Sequence, residues 1–454
     1  MTPDGTYWDR QAETAQRAER EAKVLSLLQA QLHAVYERIP FYRRHYDQHG
    51  FHPDQVRSLM DFAQRVPIIT KQMLRDDQAE HPPFGSYLGV EPSALARIHG
   101  SSGTTGKPTL YAFSRRDWNY IADVMARGFY TSGVRPADRV QLATVFSLFM
   151  GGWGALLGME RIGAAAFPIG AGETERQLEL MYRVGSTVLV TTPTYALHML
   201  EMARNLGYDT AASPLRLGVF IGEPGASIPG TRQALEKGWG IAVRDMATTS
   251  EMTPWATNAE CSASNGMHVI QDEVWTEVVD KDDPGKCMQD GQSGAVVYTH
   301  LRRESQPMIR FWSGDESHMT HDPCPCGRTY PRLPHGVYGR FDDMLLIRGT
   351  NVYPSQIQRS LLETSGTGVE FLIVVERNGS VDDAVVQVEH DPSLAVPDFG
   401  EFSRTLADRV QRKLKNDTNL TFRIEILRPN TLKRSLSKAK RVDDRRPKYR
   451  PQVG

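Results

Sequence analysis

The sequence predicts an α/β fold: a large N-terminal domain, residues 1–340, with parallel-rich sheets covered by helices, and a small C-terminal α+β domain, residues 341–454. Three observations carry this. The 454 residues exceed what one hydrophobic core usually holds. Short apolar runs alternate with helix-like stretches through the middle of the chain, and strands separated by helices imply a parallel sheet covered on both faces. After residue 340 the pattern changes.

In chain order, Val24, Leu27, Leu28, Leu32 and Val35 recur three or four apart, which predicts an amphipathic helix from about Glu13 to Tyr36. VQLATVF (140–146), AAAFPI (164–169), TVLVTT (187–192) and LRLGVFIG (215–222) read as strands, with TERQLELMYRV and PTYALHMLEMARNL as helices between them. Beyond residue 340, PSQIQRSLLET reads as a helix, VEFLIVVE and DAVVQVEH as strands, and Phe402, Leu406, Val410 and Leu414 mark a second helix before a last strand, TFRIEIL. The closing DDRRPKYRPQVG reads as a solvated basic tail.

Composition removes several classes of function. Fifty-three basic residues face 54 acidic ones, so no global field argues for nucleic acid or an anionic membrane as partner. No run of about 18 apolar residues could span a bilayer, and MTPDGTYWDR lacks the apolar core of a signal peptide, so a cytoplasmic protein is expected. Four cysteines are too few for a disulfide scaffold in a chain of this length.

Residues 101–109, SSGTTGKPT, suggest a grip on phosphate. They fail the Walker A pattern twice: Ser101 stands where its first glycine belongs, and Pro108 stands where the magnesium hydroxyl belongs. Pro108 also disfavours a helical conformation at Lys107, so the loop does not run directly into a helix. Clusters of this composition also mark plain turns. Three later stretches must be read with it. ATTSE ends in Glu251, an acid able to hold a hard cation. FWSGD sets Asp315 after a tight Ser-Gly turn, suited to a ribose diol, and YGRFDDMLLIRG puts Arg340 and two acids at the domain junction.

In identity and order, SSGTTGKPT, TSE, SGD, GRFDDMLLIRGTNVYPSQI and a late lysine in RSLSKAKRV resemble the adenylate-forming (acyl-CoA synthetase-like) superfamily. IPFYRRHY, PIITKQMLRDD, GAGETERQ, IGEP and CPCGR resemble its phenylacetate-CoA ligase branch, so the resemblance runs through nearly the whole chain. It implies that a carboxylate is joined to the α-phosphate of ATP, pyrophosphate leaves, and the acyl group passes to a thiol. Such a first step, an anion against a polyanion, needs positive charge and aligned donors more than a base. On the resemblance, Ser101, Ser102, Gly103, Thr104, Thr105, Gly106 and Lys107 embrace the phosphates and Glu251 holds Mg²⁺. Glu223, Pro224, Ala247, Thr248, Asp315 and Arg340 complete the ATP site. Lys438 is the catalytic lysine, carried on a mobile C-terminal lid that turns about Asp342 and so separates two half-reactions in time.

Phe146, Phe149, Tyr195 and the backbone at Gly222 would form the acid pocket, and aromatic walls suit an aryl acid. The thiol is CoA, with a separate carrier protein or an amine or hydroxyl acceptor as the alternative; a homodimer is left open. Cys261, His268, Cys324 and Cys326 form a set that suits a four-coordinate structural zinc, in which the chain resembles some members of the branch, while Cys287 reads as a bystander. The chain departs from the superfamily pattern at Ala247-Thr248, where an aromatic-glycine pair is usual, at Trp312, where a basic residue is common, and at Ser437, where a glycine is usual. Rival readings are a non-catalytic nucleotide-binding scaffold and a P-loop NTPase, which would release ADP or phosphate rather than AMP and pyrophosphate.

Overall fold

A computed structural model describes residues 5–101, 108–337, 339–341, 345–348, 350–378, 381–433 and 441–446. Among them the largest sheet has eight strands, and one half is the parallel array that the alternation predicts. Ala165–Phe167, Arg139–Leu142, Val188–Thr191, Leu217–Phe220 and Ala242–Ala247 lie side by side in that order, each pair parallel. Gly151–Ile162, Thr174–Val184, Pro193–Asn205 and Pro229–Trp239 are the helices between them. Val188, Leu189 and Val190 are wholly buried because both faces of the sheet are covered. Thr192 caps the helix Pro193–Asn205 by accepting a hydrogen bond from Tyr195 N, with Pro193 in the first turn, where its missing N–H costs nothing.

Beyond Ala242–Ala247 the sheet turns antiparallel through Asn258–Glu260, Met267–Val269 and Arg332–Leu333. A second sheet pairs Val274–Val279, Gly294–His300 and Phe311–Ser317 antiparallel, with Ile69–Thr70 added in parallel. Antiparallel neighbours need no crossover helix, so strand-helix alternation in sequence does not announce them.

Asp315 does not follow a turn. FWSGDES is one strand, Phe311–Ser317, and Gly314, at φ +78°, takes a left-handed step inside it where the ladder to Gly294–His300 slips. The Ser-Gly pair therefore makes a bulge that re-aims the next side chain instead of reversing the chain.

The N-terminal helix is Arg17–Arg38. Val24, Leu28, Leu32 and Val35 are buried, while Leu27 is only half-buried at the edge of the stripe. The C-terminal elements Pro354–Leu362, Thr367–Asn378, Val381–His390, Phe399–Thr418 and Arg423–Leu427 follow the predicted order. They enclose a core of their own around Ile357, Leu361, Phe371, Ile373, Val386, Leu406, Val410 and Leu414. This part rests on the larger one. Gly230 approaches Leu362 so closely that a β-carbon would meet its Cβ at 2.8 Å, Val369 packs on the cluster that holds Tyr195, and Arg441, paired with Glu370 at 2.8 Å, donates to Thr194 Oγ1 at 3.4 Å.

Candidate active site

Glu251 lies just past the end of the strand Ala242–Ala247, only 3% exposed. Its Oε1 accepts from the Tyr111 hydroxyl at 2.9 Å and pairs with Lys71 Nζ at 2.8 Å. Both contacts reach Oε1. Burial, and then the charge of Glu251, push the Tyr111 hydroxyl well above its ordinary range, so it stays a donor. Arg303 Nη1 donates to the Glu251 carbonyl at 3.3 Å, fixing the backbone as well.

Each partner of Glu251 arrives from a different element. Lys71 opens the helix Lys71–Glu80, which Thr70 caps, and keeps 30% of its side chain exposed. Tyr111 belongs to the strand Leu110–Ser114 that leaves the phosphate loop. At the loop's base, Ser101 N donates to Thr109 O at 2.9 Å and Thr109 N donates back to Ser101 Oγ at 3.1 Å. The acid and the loop are therefore two ends of one short connection through Tyr111. Thr249 Oγ1, two residues before Glu251, and Thr144 Oγ1 are buried without a hydrogen-bond partner among the described residues.

Of the other residues named from the sequence, Asp315 is buried and lies opposite Arg340 in the pairing of Phe311–Ser317 with Gly339–Arg340. Glu223 accepts from Thr194 N at 2.9 Å, and Gly222 holds φ +92° before it. Ala247 ends its strand, and Thr248 Oγ1 donates to Trp255 O at 3.0 Å. Phe146 and Phe149 are half-buried, Phe146 meeting Trp153 edge-on at 5.3 Å. Tyr195 sits wholly inside a separate core cluster, its hydroxyl engaged by Thr174 Oγ1 at 3.1 Å and Gly172 O at 3.2 Å. Ser102, Gly103, Thr104, Thr105, Gly106, Lys107, Asp342 and Lys438 lie outside the described residues. Lys71 is the residue that sequence reasoning missed; its position opening a capped helix was legible, but no motif pointed from it to residue 251.

The cysteine cluster assembles across the antiparallel half of the large sheet. Donor atoms of Cys261, His268, Cys324 and Cys326 all lie within 4.8 Å of one another. Cys261 Sγ and Cys324 Sγ are 3.7 Å apart, and Cys326 Sγ and His268 Nε2 are 3.3 Å apart. A tetrahedral zinc with Zn–S near 2.3 Å sets thiolates about 3.8 Å apart, so the donor set fits the ion in both chemistry and spacing. Hydrogen bonds from Cys261 and Cys324 hold the Cys326 thiol well below its ordinary range. The cluster is tied to the chain's start, because Tyr7 donates to Cys326 O at 2.9 Å and the neighbouring Arg328 pairs with buried Glu13 at 2.6 Å.

The model of the AMP-binding enzyme family matches residues 14–300, and that of the AMP-binding enzyme C-terminal domain matches residues 349–446. The phenylacetate-coenzyme A ligase of Aromatoleum evansii is 34% identical over 438 residues, 96% of this chain and 97% of that one. A crystal structure of 2-hydroxyisobutyryl-CoA ligase in the postadenylation state with 2-HIB-AMP superimposes with a TM-score of 0.93 at 41% identity, covering 98% of this chain and 94% of that one. The same ligase with 2-HIB-AMP and CoA in the thioesterification state gives 0.75 at the same identity and coverage. Fold and site thus define an adenylate-forming acid–thiol ligase. Within that class the chain belongs to the phenylacetate-CoA ligase-like branch of the AMP-binding enzyme family. The arrangement of its two parts is closer to the relative's postadenylation state than to its thioesterification state.

Proposed function

We propose that the protein activates a small aryl carboxylic acid with ATP, forming an acyl-adenylate and pyrophosphate, and then transfers the acyl group to CoA. The observation that carries the first step is the position of Glu251. It is a buried carboxylate whose Oε1 is anchored by Lys71 and Tyr111, and Tyr111 connects it to the base of the phosphate loop. Glu251 would hold Mg²⁺, which supplies charge neutralisation at the leaving phosphates. Lys107 and the loop hydroxyls bind those phosphates, and Asp315 and Arg340 take the ribose. Lys438 neutralises the carboxylate and α-phosphate as they approach. The C-terminal part from residue 341 carries Lys438 in and then withdraws it about Asp342, so that thiol attack follows adenylation.

Phe146 and Phe149 supply the aromatic wall that favours an aryl acid. A short 2-hydroxy acid is the second reading, because the hydroxyisobutyryl ligase shares 41% identity with this chain against 34% for the phenylacetate ligase. Zinc held by Cys261, His268, Cys324 and Cys326 leaves no open coordination position, so its role is structural. A pyrophosphate-release screen over phenylacetate, substituted benzoates and 2-hydroxyisobutyrate, with and without CoA, tests acid and acceptor together. Release with hydroxyisobutyrate alone overturns the aryl assignment; ADP or phosphate in place of AMP and pyrophosphate overturns the reaction.

A further inference from the structure

Arg441 stands three residues past Lys438 in the sequence and immediately before the strand Val442–Asp444, which pairs in parallel with Thr367–Asn378. The C-terminal part holds it firmly. Nη1 pairs with Glu370 Oε2 at 2.8 Å and donates to Phe371 O at 3.3 Å, the Arg441 carbonyl accepts from Ile373 N at 2.9 Å, and the guanidinium lies 4.6 Å from the centre of the Phe371 ring. These contacts fix the side chain and one arm of its fork. The other arm, Nη2, leaves that part and reaches Thr194 Oγ1 at 3.4 Å on the large one.

Thr194 is not an incidental acceptor. It is buried in the first turn of the helix Pro193–Asn205, and its own N–H donates to Glu223, an acid assigned to the ATP site. Arg441 is also largely screened from water, with 12% of its side chain exposed, so a charge-assisted contact there is weakened little by solvent. If the C-terminal part turns, Glu370 turns with Arg441 and keeps its pair, whereas Thr194 stays behind. Only a contact that differs between two arrangements can shift the balance between them. The one to Thr194 does; the one to Glu370 does not.

We propose that Arg441 is a positioning residue for adenylation, tying the C-terminal part to the ATP-binding loop through Thr194 and Glu223. The inference rests on the two-step reaction proposed above. Glu370 keeps the guanidinium aimed, and Thr194 receives it only while the parts are apposed as here, the arrangement closer to the relative's postadenylation state. The contact therefore favours the arrangement that makes and holds the acyl-adenylate, and it opposes the turn that precedes thiol attack.

The test measures the two half-reactions separately on the full-length enzyme, with the acid that gives the fastest pyrophosphate release. Adenylation is read as acid-dependent exchange of labelled pyrophosphate into ATP, and transfer as thioester formation from presynthesised acyl-adenylate and CoA. Arg441→Ala should slow exchange about tenfold, the worth of one charge-assisted contact, and leave transfer as fast as in wild type or faster. Thr194→Val keeps the N–H that Glu223 accepts and removes only the hydroxyl, so it should give the same split to a smaller degree. The double variant should be no slower in exchange than Arg441→Ala alone, because both changes break one contact. Arg441→Ala also strands buried Glu370, so Thr194→Val carries the test if that variant does not fold. Equal loss in both half-reactions, unchanged exchange in Thr194→Val, or additive losses in the double variant overturn the positioning role while wild-type exchange upholds the reaction. No exchange in wild type with any acid overturns the reaction, and the role with it.

Discussion

The chain buries charge at Arg127 and at Glu251, and the two places are built differently. Around Arg127 the charges close on one another: its guanidinium pairs with Asp272 at 2.7 Å and Glu273 at 3.1 Å, Tyr330 and Tyr120 donate to those acids, and Arg302 adds a second cation to Glu273 at 3.2 Å. Both acids there are met by cations and hydroxyls of the chain, and Arg127 Nε alone of that guanidinium is buried without a hydrogen-bond partner among the described residues. At Glu251 the cation is Lys71, whose side chain is 30% exposed and can return to water. The cysteine cluster goes further, gathering three sulfurs and an imidazole with no cation of the chain in the set. Buried charge that is balanced internally is structural, whereas buried charge left unbalanced marks where an ion or substrate completes the molecule.

This contrast can be broken by experiment. The largest effect is expected at the cluster that depends wholly on an added ion. Metal analysis should find about one zinc per chain, and Cys326→Ser should remove it and cost more than about 4 kcal/mol of stability, since losing a structural metal belongs to the few severe mechanisms. Full stability in metal-free protein would show that the thiols pack as small hydrophobes. Next comes the closed network. Arg127→Met should cost roughly 3–5 kcal/mol in urea unfolding, because it strands buried Asp272 and leaves Glu273 to Arg302 alone, yet leave the folded enzyme's activity unchanged. Glu251→Gln should reverse that profile, lowering acid-dependent pyrophosphate release by about 10²–10³-fold while moving the unfolding midpoint little. A Glu251→Gln enzyme that unfolds as readily as Arg127→Met would place the two clusters in one class.

Sequence shows these clusters unequally, for a physical reason. The parallel strands and the C-terminal elements were legible because burial on both faces or on one stripe repeats along the chain: Val188 to Val190 and Leu406, Val410, Leu414 declare themselves locally. Glu251 was legible as a motif residue, but Lys71 and Tyr111 stand 180 and 140 positions away, and their meeting depends on sheet packing that no spacing encodes. Cys261, His268, Cys324 and Cys326 were all named from sequence, and the first two stand side by side because Asn258–Glu260 and Met267–Val269 are antiparallel neighbours. The bulge at Gly314 was misread as a turn, since Ser-Gly serves either purpose and only the partner strand decides.

Asp245 sharpens the comparison from a third side, as a buried acid tied to the loop that carries Glu223. It is fully buried, its carboxylate accepts from Ser227, and Glu260, itself paired with Arg232 at 2.7 Å, stands nearby. Burial, reinforced by the Glu260 charge, pushes its pKa up from 3.8 to about 6. The folded state therefore holds this proton more tightly than the unfolded chain does. The resulting stability is fully present below pH 4, falls as pH rises through about 6, and is absent above it. Roughly two pH units at ~1.4 kcal/mol each set a ceiling of ~3 kcal/mol. Asp245→Asn keeps an acceptor for Ser227 but cannot ionise. Urea unfolding of both proteins between pH 4.5 and 7.5 should show wild type losing stability relative to the variant up to about pH 6 and running parallel to it above. A constant difference across the range would mean that the ionised carboxylate is as well balanced by Ser227 and Arg232 as Asp272 is by Arg127, and would move Asp245 into the closed class.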